Sequence, residues 1–109
     1  MQKINIEFKI KNSKLPYQYS GEAVLNKDIL EFNDNDDNYL YDMKINRLTK
    51  TKNGYRIVID FEKEMIQVYE KDTSLDIKIK IKSKKISSNY IKIIYSIDKE
   101  EIEFELEVK

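Results

Sequence analysis

Arg47 is one of two arginines in a chain whose cations are otherwise lysines. A guanidinium is planar and presents paired donors, which suits bidentate binding of a carboxylate or phosphate. Pointing into a barrel, Arg47 would fix the head group of an acidic, lipophilic ligand. At a strand end it would instead be a surface residue or half of a structural ion pair. Tyr17, Tyr19, Tyr39, Tyr41 and Tyr95 are the other candidates. Their rings would wall an apolar pocket, and their hydroxyls would supply its few polar contacts. The competing role is ordinary core and rim packing, because aromatic residues favour strands.

Other constellations carry less chemistry. Asp34, Asp36, Asp37 and Asn38 place acidic oxygens close together, as a calcium loop does. The glycine position of such a loop is occupied by Tyr39, and Ile45 stands where its twelfth-position Glu belongs, so a solvated hairpin loop is the better reading. Asp42 and Asp60 form an imaginable carboxylate pair, but no base, nucleophile or oxyanion device accompanies them. Lys78, Lys80, Lys82, Lys84 and Lys85, with Lys92 beside them, make a basic stripe that could meet phosphates. Glu103, Glu105 and Glu107 are expected on the same outer surface, so cross-strand pairing is the simpler reading and no nucleic-acid partner is expected.

Composition narrows the function classes further. The 109 residues suit one domain, placed here as a single β-barrel over 1–109. Basic and acidic residues balance at 20 each, without the basic excess of a general nucleic-acid or anionic-membrane binder. The absence of Cys removes disulfides and thiolate chemistry, and the absence of His removes the commonest general base and zinc ligand. The expectation is therefore a non-enzyme with no catalytic residue, no metal and no cofactor. No run approaches the roughly 18 apolar residues of a membrane span. No signal-peptide core follows Met1, so a cytoplasmic location is expected.

Strands must position these residues. Leu75–Lys82 alternates apolar and charged residues without a break, and Ile91–Ile97 alternates again. A period of two gives one buried and one wet face. Ile4, Ile6, Phe8 and Ile10 repeat the pattern, as do Tyr17 to Leu25, Ile29–Phe32, a strand from Tyr39 through Ile45, Tyr55–Phe61, Met65–Glu70 and Ile102–Val108. On Met65–Glu70 the faces Met65/Tyr69 and Ile66/Val68 compete. Lys11–Pro16 is a break, and Gly21 and Ala23 are where interior space is left. Asn53-Gly54 predicts a two-residue type I′ turn, which pairs Lys52 with Tyr55 and Leu48 with Ile59. Leu48 then faces inward at odd spacing from an inward Ile45, which requires a bulge or a turn of another length, and a bulge is predicted near Asn46-Arg47. No segment has a useful 3.6-residue period. The expected fold is an all-β, antiparallel up-and-down barrel of eight to nine strands, with a two-sheet sandwich as the alternative.

The order Lys44–Arg47, Asn53-Gly54, Arg56–Phe61, Gln67–Tyr69, Leu75–Lys82, Ile91–Tyr95 and Glu103–Val108 resembles the small bacterial YwiB-like proteins. At Arg47 the chain departs from them, since Leu48-Thr49 follow where that group has Arg-x-Gly. The resemblance implies a calycin-type (lipocalin-like) barrel with an interior ligand site, and it implies no reaction. Two roles compete on this basis. One is binding of a small apolar or amphipathic ligand inside the barrel, by Arg47 and the five tyrosines. The other is a non-catalytic interaction or structural module with a filled interior.

Overall fold

The computed structural model describes residues 1–12 and 16–109. They form eleven strands: β1 (Gln2–Lys11), β2 (Tyr17–Asn26), β3 (Ile29–Asp34), β4 (Asp37–Asp42), β5 (Arg47–Lys52), β6 (Tyr55–Asp60), β7 (Met65–Glu70), β8 (Thr73–Lys78), β9 (Lys80–Ile86), β10 (Tyr90–Ile97) and β11 (Glu100–Val108). No described residue is helical, so none belongs to a helix long and apolar enough to cross a membrane. The all-β, antiparallel expectation holds, but the count of eight to nine strands does not. Two expected strands are each divided in two. The strand from Tyr39 is cut by a four-residue turn at 43–46. Leu75–Lys82 is cut at Ile79, where the ladder partner changes from β7 to β10. Side-chain alternation continues through Ile79, so the pattern that identifies the strand is blind to the change of partner. The break expected at Lys11–Pro16 falls partly on residues 13–15, outside the described residues.

The chain divides into two compact units, residues 1–3 with 23–78 and residues 4–22 with 79–109. In the first, the strand order runs from the end of β2 through β3, β4, β5, β6 and β7 to β8, each strand beside its sequence neighbour. Leu30, Tyr41, Leu48, Ile59 and Ile66 face one another across these ladders and are buried. Ile66 thus settles the face of β7, with Val68 on the same side. The register across Asn53-Gly54 is the expected one, Lys52 with Tyr55 and Leu48 with Ile59. The turn itself is not type I′, because Gly54 alone has a positive φ, at 91°.

The bulge predicted near Asn46-Arg47 is absent. Ile45 lies in the turn and is 40% exposed, so it never shares a strand with Leu48. The parity conflict was real, and a turn resolves it. The hairpin loop expected around Asp34, Asp36, Asp37 and Asn38 is tighter: β3 and β4 pair down to Asp34 with Asp37 around Asn35-Asp36.

In the second unit the order is the start of β2, then β1, β11, β10 and β9. The first strand pairs with the last, from Ile6 with Val108 to Lys11 with Glu103. Ile6, Phe8, Ile91, Ile93, Tyr95, Ile102, Phe104 and Leu106 are buried on one face. The other face is a charged surface in which β11 glutamates meet lysines on both sides, Glu103 with Lys11 at 3.5 Å and with Lys92 at 3.4 Å. A register shift in β9 leaves Lys82 without a ladder partner on β10, between Ile81 and Ser83. Lys84 consequently stands opposite Ile93 and Lys85 opposite Lys92, so these two lysines of the expected stripe lie on opposite faces.

Candidate binding face

Two turns of the same build set the position of Arg47. In the first, Asp42 accepts hydrogen bonds from the amides of Lys44 (3.0 Å) and Ile45 (3.4 Å), and Asn46 closes the turn at φ 54°. In the second, Asp60 accepts from the amides of Glu62 (3.1 Å) and Lys63 (3.0 Å), and Glu64 closes at φ 53°. Short acidic side chains favour such turns because they satisfy the amides that the turn leaves unpaired. The strands they join bring Arg47 opposite Asp42 on one side and Asp60 on the other.

Arg47 donates from Nη2 to Asp60 Oδ2 at 3.0 Å, while its Nε is buried without a hydrogen-bond partner. Burial alone would raise the Asp60 pKa. The amides of Lys63 and Glu62 and the Arg47 guanidinium outweigh it and hold the carboxyl below its ordinary range. Residues in ladder register continue the same face. Thr49 stands opposite Val58 and Val58 opposite Gln67. Arg56 stands opposite Tyr69, its guanidinium 4.9 Å from the ring centre. Together Arg47, Thr49, Arg56, Val58, Gln67 and Tyr69 line a surface hollow of about 260 Å³.

The tyrosines nominated with Arg47 lie elsewhere. Tyr39 and Tyr41 share the buried face of β4, and Tyr41 stands opposite Leu48, on the side of the sheet away from Arg47. Tyr39 stacks on Phe32 at 4.8 Å, with the Lys50 ammonium 5.6 Å from its ring centre. Tyr41 donates its hydroxyl to the side-chain carbonyl of buried Asn46. Burial, then the nearby Glu62 and Asp42 carboxylates, push the Tyr41 hydroxyl far above the ordinary tyrosine value. Tyr17, Tyr19 and Tyr95 belong to the other unit. Tyr17 packs edge-on to Phe8. Tyr19 donates to the Glu22 carbonyl at 2.7 Å and lies over Gly21, where a Cβ would meet its hydroxyl at 3.1 Å. The space expected beside Gly21 is thus occupied by Tyr19, and Ala23 is itself buried.

Burial raises the Tyr95 hydroxyl to about 12. A raised pKa means that its contribution to stability is intact below the ordinary value of about 10 and is lost as pH rises towards the folded one. The urea midpoint is expected to fall between about pH 10 and pH 12, and to fall less steeply in Tyr95→Phe. Parallel pH profiles for the two proteins would contradict this.

Of the five residues that join Arg47 here, Asp60 enters a search for chemical motifs only as half of an imaginable carboxylate pair with Asp42, and Arg56, Thr49, Gln67 and Tyr69 escape it. The register arithmetic of the Asn53-Gly54 turn reaches one of the five, because pairing Leu48 with Ile59 also sets Arg47 opposite Asp60. Among the described residues no group of three acidic, His or Cys side chains is arranged to hold a metal ion. Compared with protein-family models, curated proteins and solved structures, the chain matches none.

Proposed function

We propose that this protein is a non-catalytic binding module that recognises a carboxylate-bearing peptide segment on the outer face of β5, β6 and β7. The observation that carries the reading is the meeting of both arginines on that one face, around a hollow with polar and apolar walls. The Arg56 guanidinium sits over the Tyr69 ring, 4.9 Å from its centre, and its planar fork supplies paired donors for a carboxylate. Val58 and the Tyr69 ring supply apolar contact, and Thr49 and Gln67 supply neutral hydrogen-bonding groups. Binding of a small lipophilic ligand by Arg47 with the tyrosines has less support, because Arg47 and the Tyr39–Tyr41 pair are on opposite faces of one sheet. A calycin-type barrel related to the YwiB-like proteins is part of the proposal. Its support is the pairing of β1 with β11, which leaves neither strand as a sheet edge.

The test is titration of the isotope-labelled protein with a capped pentaglutamate peptide, followed by amide chemical shifts. Shifts should concentrate on β5–β7, weaken with added salt, and need about tenfold more peptide in Arg56→Ala. Shifts confined to Tyr39 and Tyr41, or none at millimolar peptide, would reject the face. Native mass spectrometry of the fresh protein checks the competing role, since a carried ligand adds mass that denaturation removes.

A further inference from the structure

We propose that β8 is a pairing edge for a second copy of this chain, which aligns antiparallel to it with Leu75 facing Leu75. Among the described residues β8 has a hydrogen-bonded neighbour on one side only, β7. Such an edge is a template for another strand unless its side chains guard it. The end strand of the other unit's sheet is guarded, since β9 carries Lys80, Lys82, Lys84 and Lys85. β8 carries one lysine, at its far end, and Leu75 in its middle is 59% exposed. Leu75 also ends an apolar row, standing opposite Val68, which stands opposite Ile57, and both of these are only half-buried.

Backbone geometry restricts the register. In a two-residue hairpin the closing pair, here Glu70 with Thr73, exchanges both its hydrogen bonds. Thr73, Leu75 and Ile77 therefore aim their amides and carbonyls at β7, and Ser74, Asp76 and Lys78 aim theirs outward. Two copies related by a twofold axis must set residues of the same sheet face opposite one another. Centring on Ser74 sets Asp72 against Asp76, and centring on Asp76 sets that carboxylate against itself. Centring on Leu75 sets Leu75 against Leu75, pairs the outward groups of Ser74 with those of Asp76, and brings Asp72, in the turn just before β8, beside Lys78 twice. Cross-strand opposite charges stabilise such a pairing and like charges oppose it. Centring on Ile77 also pairs opposite charges, Asp76 with Lys78, but it draws in Lys80 and Ile81, which already pair with β10. Centring on Leu75 is the complementary register that keeps the pairing within β8 and sets its exposed leucine against its own copy. The inference does not depend on the acidic partner proposed above, because the pairing runs along the β8 edge and the two tests read different residues.

The experiment is light scattering across a concentration series, with wild type, Asp72→Lys, Lys78→Asp and the double exchange. Both substituted positions are exposed, and circular dichroism of each variant checks that the fold is retained. Wild type is expected to approach twice the 13.1 kDa chain mass as concentration rises. Either single exchange sets like charges opposite each other twice and should weaken association about tenfold. The double exchange should restore it. A wild type that stays at the chain mass overturns the proposal, and so does a dimer whose single exchanges associate as well as wild type or whose double exchange fails to recover.

Discussion

Replacing Phe8 by alanine is expected to cost about 3–5 kcal/mol of stability, the largest effect of any single change discussed here. Phe8 is fully buried. Its ring stands edge-on to Phe104 at 5.4 Å and to Tyr17 at 5.9 Å, and Leu106 faces it across the ladder. Truncation removes the apolar contacts and both aromatic pairs, and it leaves a cavity between strands whose backbones are tied by ladder hydrogen bonds. Such walls relax little, so the cavity cost adds to the transfer cost. Against a total of about 5–15 kcal/mol for a domain, the variant should lose much of its resistance to urea. Ile94→Ala, on the outer face of β10 opposite Glu103, serves as the comparison and should cost far less. Equal urea midpoints for the two variants would show that the face carrying Phe8 is not a packed core.

Replacing Asp60 by alanine should cost about 2–4 kcal/mol. The carboxylate is buried and accepts from three donors, the Glu62 and Lys63 amides and the Arg47 guanidinium. Its loss leaves two turn amides and a half-buried cation without their acceptor. Asp42→Ala removes the matching interaction from the other turn, where the acceptor is more exposed, and should cost about 0.5–1 kcal/mol. The pH dependence follows from the depressed Asp60 pKa. Its stabilising contribution is present above the ordinary carboxylate value of about 4 and disappears as pH falls through the folded value. Asp60→Asn should therefore lose less stability than wild type on acidification below about pH 4. The difference is partial, because Glu7, held low by Lys109 and then Lys9, titrates in the same direction. An acid limb as steep in Asp60→Asn as in wild type would remove Asp60 from this role.

The strand faces were legible in the sequence because one physical fact writes them, the alternation of side chains about a strand. Phe8, Leu48, Ile59, Ile93, Phe104 and Leu106 are buried where that alternation places them. The Asn53-Gly54 turn gave the register of β5 on β6, since two residues of turn leave one pairing open. What alternation cannot carry is the identity of a strand's neighbour, and so the change of partner at Ile79 was invisible. Nor can it tell an apolar residue in a turn from one in a strand, and so alternation alone puts Ile45 inward although it lies exposed in a turn. The candidate site was half legible. Arg47 stood out by residue type, but its separation from Tyr41 depends on where β4 stops and β5 starts. That boundary is set by Asp42 capping a turn with Asn46 in a left-handed conformation, a local event that composition does not announce.

The pairing of β1 with β11 also fixes an order of events during synthesis. Every ladder from β3 to β8 joins sequence neighbours and needs only a short loop to close. β1 is made first, yet Ile6 meets Val108 and Phe8 meets Leu106. At about 5–20 residues per second, roughly 5–20 seconds separate the translation of β1 from that of β11. For that interval a strand bearing Ile4, Ile6, Phe8 and Ile10 lacks its C-terminal ladder. Until β11 emerges, β1 is thus the strand most exposed to misassociation.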